Sequence, residues 1–188
     1  QRVAYVDIDV HHGDGLYYPY EHDPEVFVAD IHEDGRFLYP GTGDANEQGK
    51  GDAHGTKLNI PLQPGAADAI FMREWERVAA FLDGFKPEFI VFQCGADSLK
   101  GDPLAHLQYT PAAHAHAARS LIEIANRHAG GRIMGFGGGA MIGAPLADNL
   151  MKYYATPTSV GVWETFLTMA VIYFVFMMTG AFGYRIPA

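Results

Sequence analysis

The amino-acid sequence predicts an α/β fold in which a mostly parallel sheet is flanked by helices. Short apolar runs rich in β-branched and aromatic residues alternate with longer segments whose apolar residues recur at helical spacing. This alternation indicates parallel strands joined by crossover helices. The predicted strands cover residues 3–10, 26–31, 58–62 and 89–94.

Two helices and one long loop are predicted between and after these strands. Apolar side chains recur at helical spacing in residues 67–85, with charged side chains on the other face. A second helix begins after Thr110, a predicted N-cap followed by Pro111, and ends before Gly130. Residues 37–54 contain several glycines and show no periodicity, which predicts a long ordered loop of the kind that commonly carries function.

Composition limits the class of protein. A chain of 188 residues with 48% apolar residues is long enough for one domain with a sizeable core. A formal net charge of -9 argues against direct nucleic-acid binding, which needs a positive surface. Cys94 is the only cysteine, which excludes an intrachain disulfide and favours a cytoplasmic location. Because the chain opens at Gln1 rather than at a methionine, we interpret it as part of a longer protein.

The first predicted strand carries Asp7 and Asp9, and His11 follows it directly. These three residues occupy alternate positions, so their side chains would share one face if the extended chain continues to His11. Unpaired carboxylates are costly to bury, and a divalent cation is one of the few partners that offset this cost. Mixed oxygen and nitrogen donors suit zinc, iron or manganese better than calcium. A plain turn or a solvated loop is the alternative interpretation.

A further carboxylate follows the strand at residues 89–94. Gly95 is small enough to let a ligand approach, so Asp97 would complete a three-ligand set with Asp9 and His11. Three protein ligands leave an open position for water and substrate, which a catalytic metal needs.

Residues 1 to about 136 resemble the C-terminal part of the zinc-dependent histone deacetylase superfamily, including its acetoin-utilisation and acetylpolyamine amidohydrolase members. The resemblance implies an arginase-like or deacetylase-like α/β fold, incomplete in this chain. The matching motifs are Asp7 to Gly15, Tyr39 to Gly43, Gly95 to Asp97 followed by Gly101 to Pro103, and the glycine run that opens at Gly137.

The resemblance also assigns roles to individual residues. It implies that Asp9, His11 and Asp97 bind zinc, and that Asp7 orients a catalytic histidine from an earlier segment. Zinc would polarise the amide carbonyl of an acyl-lysine or acyl-polyamine substrate. The remaining implied residues are Tyr39, Leu104 and Gly138 at the substrate, Asp7, Asp9, His11 and Asp30 at one potassium ion, and Tyr20, Asp23 and Val26 at a second potassium ion.

The chain departs from the family pattern in two places. The family's paired general-base histidines would lie upstream of the first strand. The glycine run should be followed by a tyrosine that donates to the developing oxyanion, but Gly139 is followed by Ala140. Loss of one such donor typically costs a factor of about 10² to 10³ in rate. Turnover by this chain alone is therefore expected to be poor or absent.

Composition changes after about residue 134. No charged residue occurs between Thr165 and Tyr184, a stretch long enough to cross a bilayer, although a buried core helix is the alternative. This region is similar to a segment of a major facilitator transporter. We therefore predict a partial deacetylase-like domain at 1–136 and an apolar helical tail at 137–188, with membrane contact through 165–184 or a chimeric reading frame.

Three functional hypotheses follow. The first is a zinc-dependent amidohydrolase that removes acyl groups from lysine or polyamine nitrogen. The second is a two-manganese ureohydrolase similar to arginase. The third is a catalytically inactive remnant joined to a membrane segment. The sequence leaves the acyl group and the oligomeric state open.

Overall fold

The computed structural model describes residues 1–137 together with Tyr153, Thr168 and Val171. The chain divides into two units, Gln1–Gly138 and Gly139–Ala188. The first unit contains the sheet and its helices. Among the described residues, no helix is both long enough and apolar enough to cross a membrane. Gly138, Ala140 and the stretch 165–184, apart from Thr168 and Val171, lie outside the described residues, as does most of the region that resembles a transporter.

The first unit is built on a five-stranded parallel sheet in the order β3-β2-β1-β4-β5, which confirms the predicted fold class. The chain runs outward from β1 to β2 and β3 on one side, and returns to β4 and β5 on the other. The gap between the carboxyl ends of β1 and β4 is therefore a topological switch point, where open α/β sheets bind ligands. The strands are β1 (Val3–Asp7), β2 (Val26–Glu33), β3 (Lys57–Leu62), β4 (Phe89–Gln93) and β5 (Ile133–Phe136).

Strand β1 is shorter than the predicted strand at residues 3–10. It ends at Asp7 because aspartate side chains then capture backbone amides: Asp7 Oδ1 accepts from the Asp9 amide (2.9 Å), and Asp9 Oδ1 accepts from the His11 amide (3.0 Å). Such local bonds compete with a strand ladder and turn the chain. Asp9 and His11 therefore lie in a turn beyond the strand, not on a shared strand face.

The helices are α1 (Asp14–Tyr17), α2 (Asp68–Phe85) and α3 (Pro111–His128). The Thr110 hydroxyl accepts from the Ala112 amide, which confirms the predicted N-cap of α3. Helices α2 and α3 pack together against one face of the sheet, where Trp75 and Leu121 are buried with the apolar side chains of β1, β2 and β4. A smaller cluster around Tyr17 covers part of the other face.

Long loops leave the carboxyl ends of the strands. Residues 34–56 contain only turns and one short 3-10 helix at Gly51–Ala53, in agreement with the loop predicted at 37–54. Residues 94–110 connect β4 to α3 and include a 3-10 turn at Ala96–Ser98. Because the sheet is parallel, both loops emerge at the same edge as the turn that carries Asp9 and His11.

Candidate metal centre

Asp9, His11 and Asp97 come together at the topological switch point. Each offers one ligand atom, and the three atoms lie within 4.8 Å of one another. His11 Nδ1 is 3.0 Å from Asp9 Oδ1 and 3.1 Å from Asp97 Oδ2. All three residues are partly exposed, so a small molecule can reach them. Among the described residues this is the one cluster of three or more acidic, histidine or cysteine side chains with such geometry.

Two loops are joined directly at this cluster. The Val10 amide, in the turn after β1, donates to Asp97 Oδ1 in the loop after β4 (3.1 Å). The same carboxylate therefore uses one oxygen to fix the facing turn and the other to contact His11. This leaves the separation of Asp9, His11 and Asp97 little freedom to change.

Gly95 lies so close to Asp9 that a larger residue would not fit. A Cβ at Gly95 would be 2.1 Å from Asp9 Oδ2, well inside any real contact. The Gly95 carbonyl accepts from His114 Nε2 in α3 (3.0 Å), which fixes the backbone at this point. Gln93, at the end of β4, donates to Asp9 Oδ2 (3.3 Å). Gly95 was predicted to leave room for a ligand, whereas Gln93 was not among the predicted site residues. The available signal for Gln93 was its position as a polar residue at the end of an apolar strand.

The electrostatics of the cluster are those of a cation site. Hydrogen bonds to Asp9 and to Asp97 raise the pKa of His11 to about 10. Burial opposes the charge on Asp97, but hydrogen bonds from His11 and the Val10 amide outweigh it, so the pKa of Asp97 lies below its usual range. Two carboxylates thus share one imidazolium when no metal is bound. A divalent cation fits this donor set, because it can replace the proton between the carboxylates.

Asp7 and Asp30 form a second, deeply buried pair of carboxylates on neighbouring positions of β1 and β2. Asp7 Oδ2 accepts from the Tyr5 hydroxyl (2.7 Å), which lies on the same face of β1 and was not among the predicted site residues. Asp30 accepts from the Gly13 amide (2.8 Å) and contacts His32 Nδ1 (2.7 Å). Burial and the neighbouring Asp30 raise the pKa of Asp7 well above its usual range. A positive charge near this pair would therefore be stabilising.

The residues expected at the second potassium ion do not fit that ion. The Lys57 ammonium donates to the backbone carbonyl oxygens of Asp23 and Val26, two of the three expected ligands. The carbonyl of the third, Tyr20, accepts from the Asp23 amide (3.1 Å). Burial lowers the pKa of Lys57 to about 8, which leaves its amine mainly charged at pH 7.

Tyr39 and Leu104 are large, highly exposed side chains on the two loops beside the cluster, with 78% and 75% of their surface accessible. The loop that carries Leu104 is held by hydrogen bonds. Glu33, buried at the end of β2, accepts from both the amide and Nδ1 of His106 (2.8 Å each). Asp102 accepts from the Leu104 amide (2.9 Å). We call these two hydrogen bonds between His106 and Glu33 the Glu33 clamp. The clamp could not be predicted from the sequence, because its two residues are 73 positions apart.

A parallel sheet with carboxylates and an imidazole gathered at its switch point defines an α/β protein with a candidate catalytic metal site. The chain matches the histone deacetylase domain over residues 1–146, and it belongs to that family. This match supports the first of the three hypotheses over a ureohydrolase.

Individual relatives agree with the family match. The acetoin utilization protein AcuC of Bacillus subtilis is 38% identical over 139 residues, which is 73% of this chain and 36% of that protein. The chloroplastic histone deacetylase 14 of Arabidopsis thaliana is 37% identical, over 72% of this chain and 32% of that protein. The chain thus spans about a third of the length of these curated relatives.

Solved structures show the same fold. The HDA15 HD domain superposes with a TM-score of 0.66 and 30% identity, covering 73% of this chain and 39% of that one. The histone deacetylase Clr3 gives a TM-score of 0.65 and 31% identity, covering 72% of this chain and 23% of that one.

Proposed function

We propose that Asp9, His11 and Asp97 bind one zinc ion in the active site of an amide hydrolase of the histone deacetylase family. The observation that carries this proposal is the convergence of one ligand atom from each side chain within 4.8 Å. Carboxylate oxygens and an imidazole nitrogen are ligands that zinc takes in proteins, and three protein ligands leave a position open in catalytic zinc sites. Bound zinc would supply polarisation of the amide carbonyl and activation of water.

The surrounding residues hold this ligand set in place. Asp7 fixes the turn that carries Asp9 through its hydrogen bond to the Asp9 amide. The potassium ion proposed below would favour the ionised form of Asp7, whose carboxylate has about four acceptor positions, so Asp7 could also accept from the histidine base that it is proposed to orient. Gly95 keeps the space beside Asp9 free of side-chain atoms, and His114 holds the Gly95 carbonyl.

The proposed substrates are acylated lysine or polyamine amides. The side chains of Tyr39 and Leu104 are exposed on loops at the same sheet edge as the cluster, which supports their proposed role as walls of the substrate entrance. Gly138 is proposed to contact substrate as well. One potassium ion is proposed beside the buried Asp7 and Asp30 carboxylates, with Asp9 and His11. The cytoplasmic location and the domain boundary at residue 136 remain predictions.

Zinc binding tests the assignment of the ligands. We expect one zinc ion per chain by mass spectrometry of the native protein and by chelator competition. Asp97→Ala should lower zinc affinity by more than the roughly 10- to 100-fold that is typical when only a supporting residue is changed. The matched control is Asp52→Ala, because Asp52 is an exposed aspartate in the 3-10 helix Gly51–Ala53 and does not belong to the cluster. Equal zinc affinity in the Asp97→Ala and wild-type chains would rule out this ligand set.

Deacylation separates the enzyme from the inactive remnant. An acetyl-lysine peptide and an acetylpolyamine are incubated with the zinc-loaded chain, and free amine is measured. Turnover that Asp97→Ala abolishes supports the hydrolase. Stoichiometric zinc binding without turnover supports the remnant hypothesis for this chain, in which the site holds metal but does no chemistry.

A further inference from the structure

Lys57 is a fully buried lysine that the candidate metal centre does not use. It begins β3 and has only 2% of its surface exposed. Lysine is almost never fully buried unless its ammonium group is paired. The contacts of the Lys57 amine therefore identify what this group does in the fold.

The ammonium of Lys57 has three N–H groups, and three oxygens surround it. It donates to the carbonyl oxygen of Asp23 (3.0 Å), to the hydroxyl oxygen of Thr56 (2.9 Å) and to the carbonyl oxygen of Val26. The Thr56 hydroxyl gives its own hydrogen to the carbonyl of Ala53 (2.6 Å), so its oxygen is free to accept from Lys57. Every donor of the ammonium group is satisfied.

The backbone closes over the lysine side chain. Gly49 has a φ of +89°, and a Cβ placed there would lie 3.2 Å from Lys57 Cγ and 2.3 Å from the Ala53 carbonyl oxygen. Through its three hydrogen bonds, the Lys57 amine links the turn at Asp23, the start of β2 at Val26 and the turn at Thr56. These segments carry backbone oxygens, which are also the ligands that proteins use to replace the hydration shell of potassium.

We propose that the Lys57 ammonium is the permanent cation at this position, and that it excludes potassium from the Asp23 and Val26 carbonyls. An ion coordinated by those two oxygens would overlap the Lys57 nitrogen, which already lies at hydrogen-bonding distance from them. The chain then needs no dissolved potassium to hold these three segments together. This inference concerns the fold and does not rest on the proposed zinc chemistry.

Removal of the side chain should create a potassium requirement. The unfolding midpoint of Lys57→Ala is compared in potassium chloride and in tetramethylammonium chloride at equal ionic strength. We expect potassium to raise the midpoint of Lys57→Ala by about 4 °C more than that of the wild type. The control is Lys50→Ala, because Lys50 is a lysine of the same region whose side chain is 62% exposed and bonded to Glu21. Equal potassium responses of Lys57→Ala, Lys50→Ala and the wild type would overturn the proposal.

A second measurement needs only the wild-type chain. Brief acetylation with an amine-reactive ester, followed by mass spectrometry, gives the labelling rate of each lysine. We expect Lys57 to react about tenfold more slowly than Lys50 or slower still, in both salts, because labelling requires local opening. Labelling of Lys57 at the rate of Lys50, or acceleration of Lys57 labelling by potassium, would mean that the ammonium does not hold this position.

Discussion

The close approach of Gly95 to Asp9 gives the sharpest prediction about the candidate metal centre. Gly95→Ala introduces one methyl group whose carbon would lie 2.1 Å from Asp9 Oδ2, whereas ordinary contact begins at 3.4 Å. The Asp9 carboxylate must therefore move by about 1.3 Å (3.4 minus 2.1). Zinc–ligand distances vary by only about 0.2 Å, so this shift removes Asp9 from the ligand set. The backbone at Gly95 has φ -50° and ψ 139°, which alanine adopts without strain.

We expect Gly95→Ala to lower zinc affinity by about 100-fold or more, measured by competition with a chromophoric chelator. Gly84→Ala is the matched control, because a Cβ at Gly84 in α2 meets no atom within 4 Å. This control should leave zinc affinity unchanged and stabilise the chain by about 0.5–1 kcal/mol, since alanine favours the helix. Wild-type zinc affinity in a folded Gly95→Ala chain would refute the assignment of Asp9 as a ligand.

Two further predictions concern pH and the loop clamp. Without zinc, the raised pKa of His11 contributes stability that is complete below its unfolded value of 6.5 and is lost as pH rises towards about 10. Zinc must displace this proton from His11, so the apparent zinc affinity should rise about tenfold per pH unit between about pH 7 and 9. Chelator competition at several pH values measures this affinity. A zinc affinity that does not change with pH would contradict a protonated His11. Glu33→Ala leaves the His106 amide without its acceptor and should cost about 1–3 kcal/mol in urea unfolding. Glu33→Gln should lower the free energy of unfolding by less, because the amide oxygen of glutamine can still accept from the His106 N–H. Equal losses of unfolding free energy in Glu33→Ala and Glu33→Gln would argue against the clamp.

The alternation of strand and helix patterns was sufficient to predict the parallel sheet and the start of α3, because both depend on local sequence. The predicted end of the first strand at residue 10 was wrong, because β1 ends at Asp7. The side chains of Asp7 and Asp9 bind backbone amides that would otherwise pair with a neighbouring strand. Strand β5 was missed because its four residues, which include Gly135, are mostly exposed and show no alternation.

The candidate site was predictable only in part. Asp9, His11 and Asp97 stood out as polar residues at the ends of apolar strands, and the structure brings them together. The burial of Lys57 could not be predicted, because a lysine at the start of an edge strand is ordinarily exposed, and its partner Asp23 is 34 residues away. Contacts of this kind depend on how the loops fold over the sheet.

The span of the candidate metal centre has a consequence for the order in which the protein folds. His11 and Asp97 are 86 residues apart in the chain, and they meet only after β4 has paired with β1. Contacts of such long range form late, because the entropy of closing the intervening chain must first be overcome. A newly made chain would therefore have little affinity for zinc until its sheet is assembled. Zinc bound at that stage would selectively stabilise the completed sheet, so metal uptake would follow sheet assembly as one of the last steps of folding.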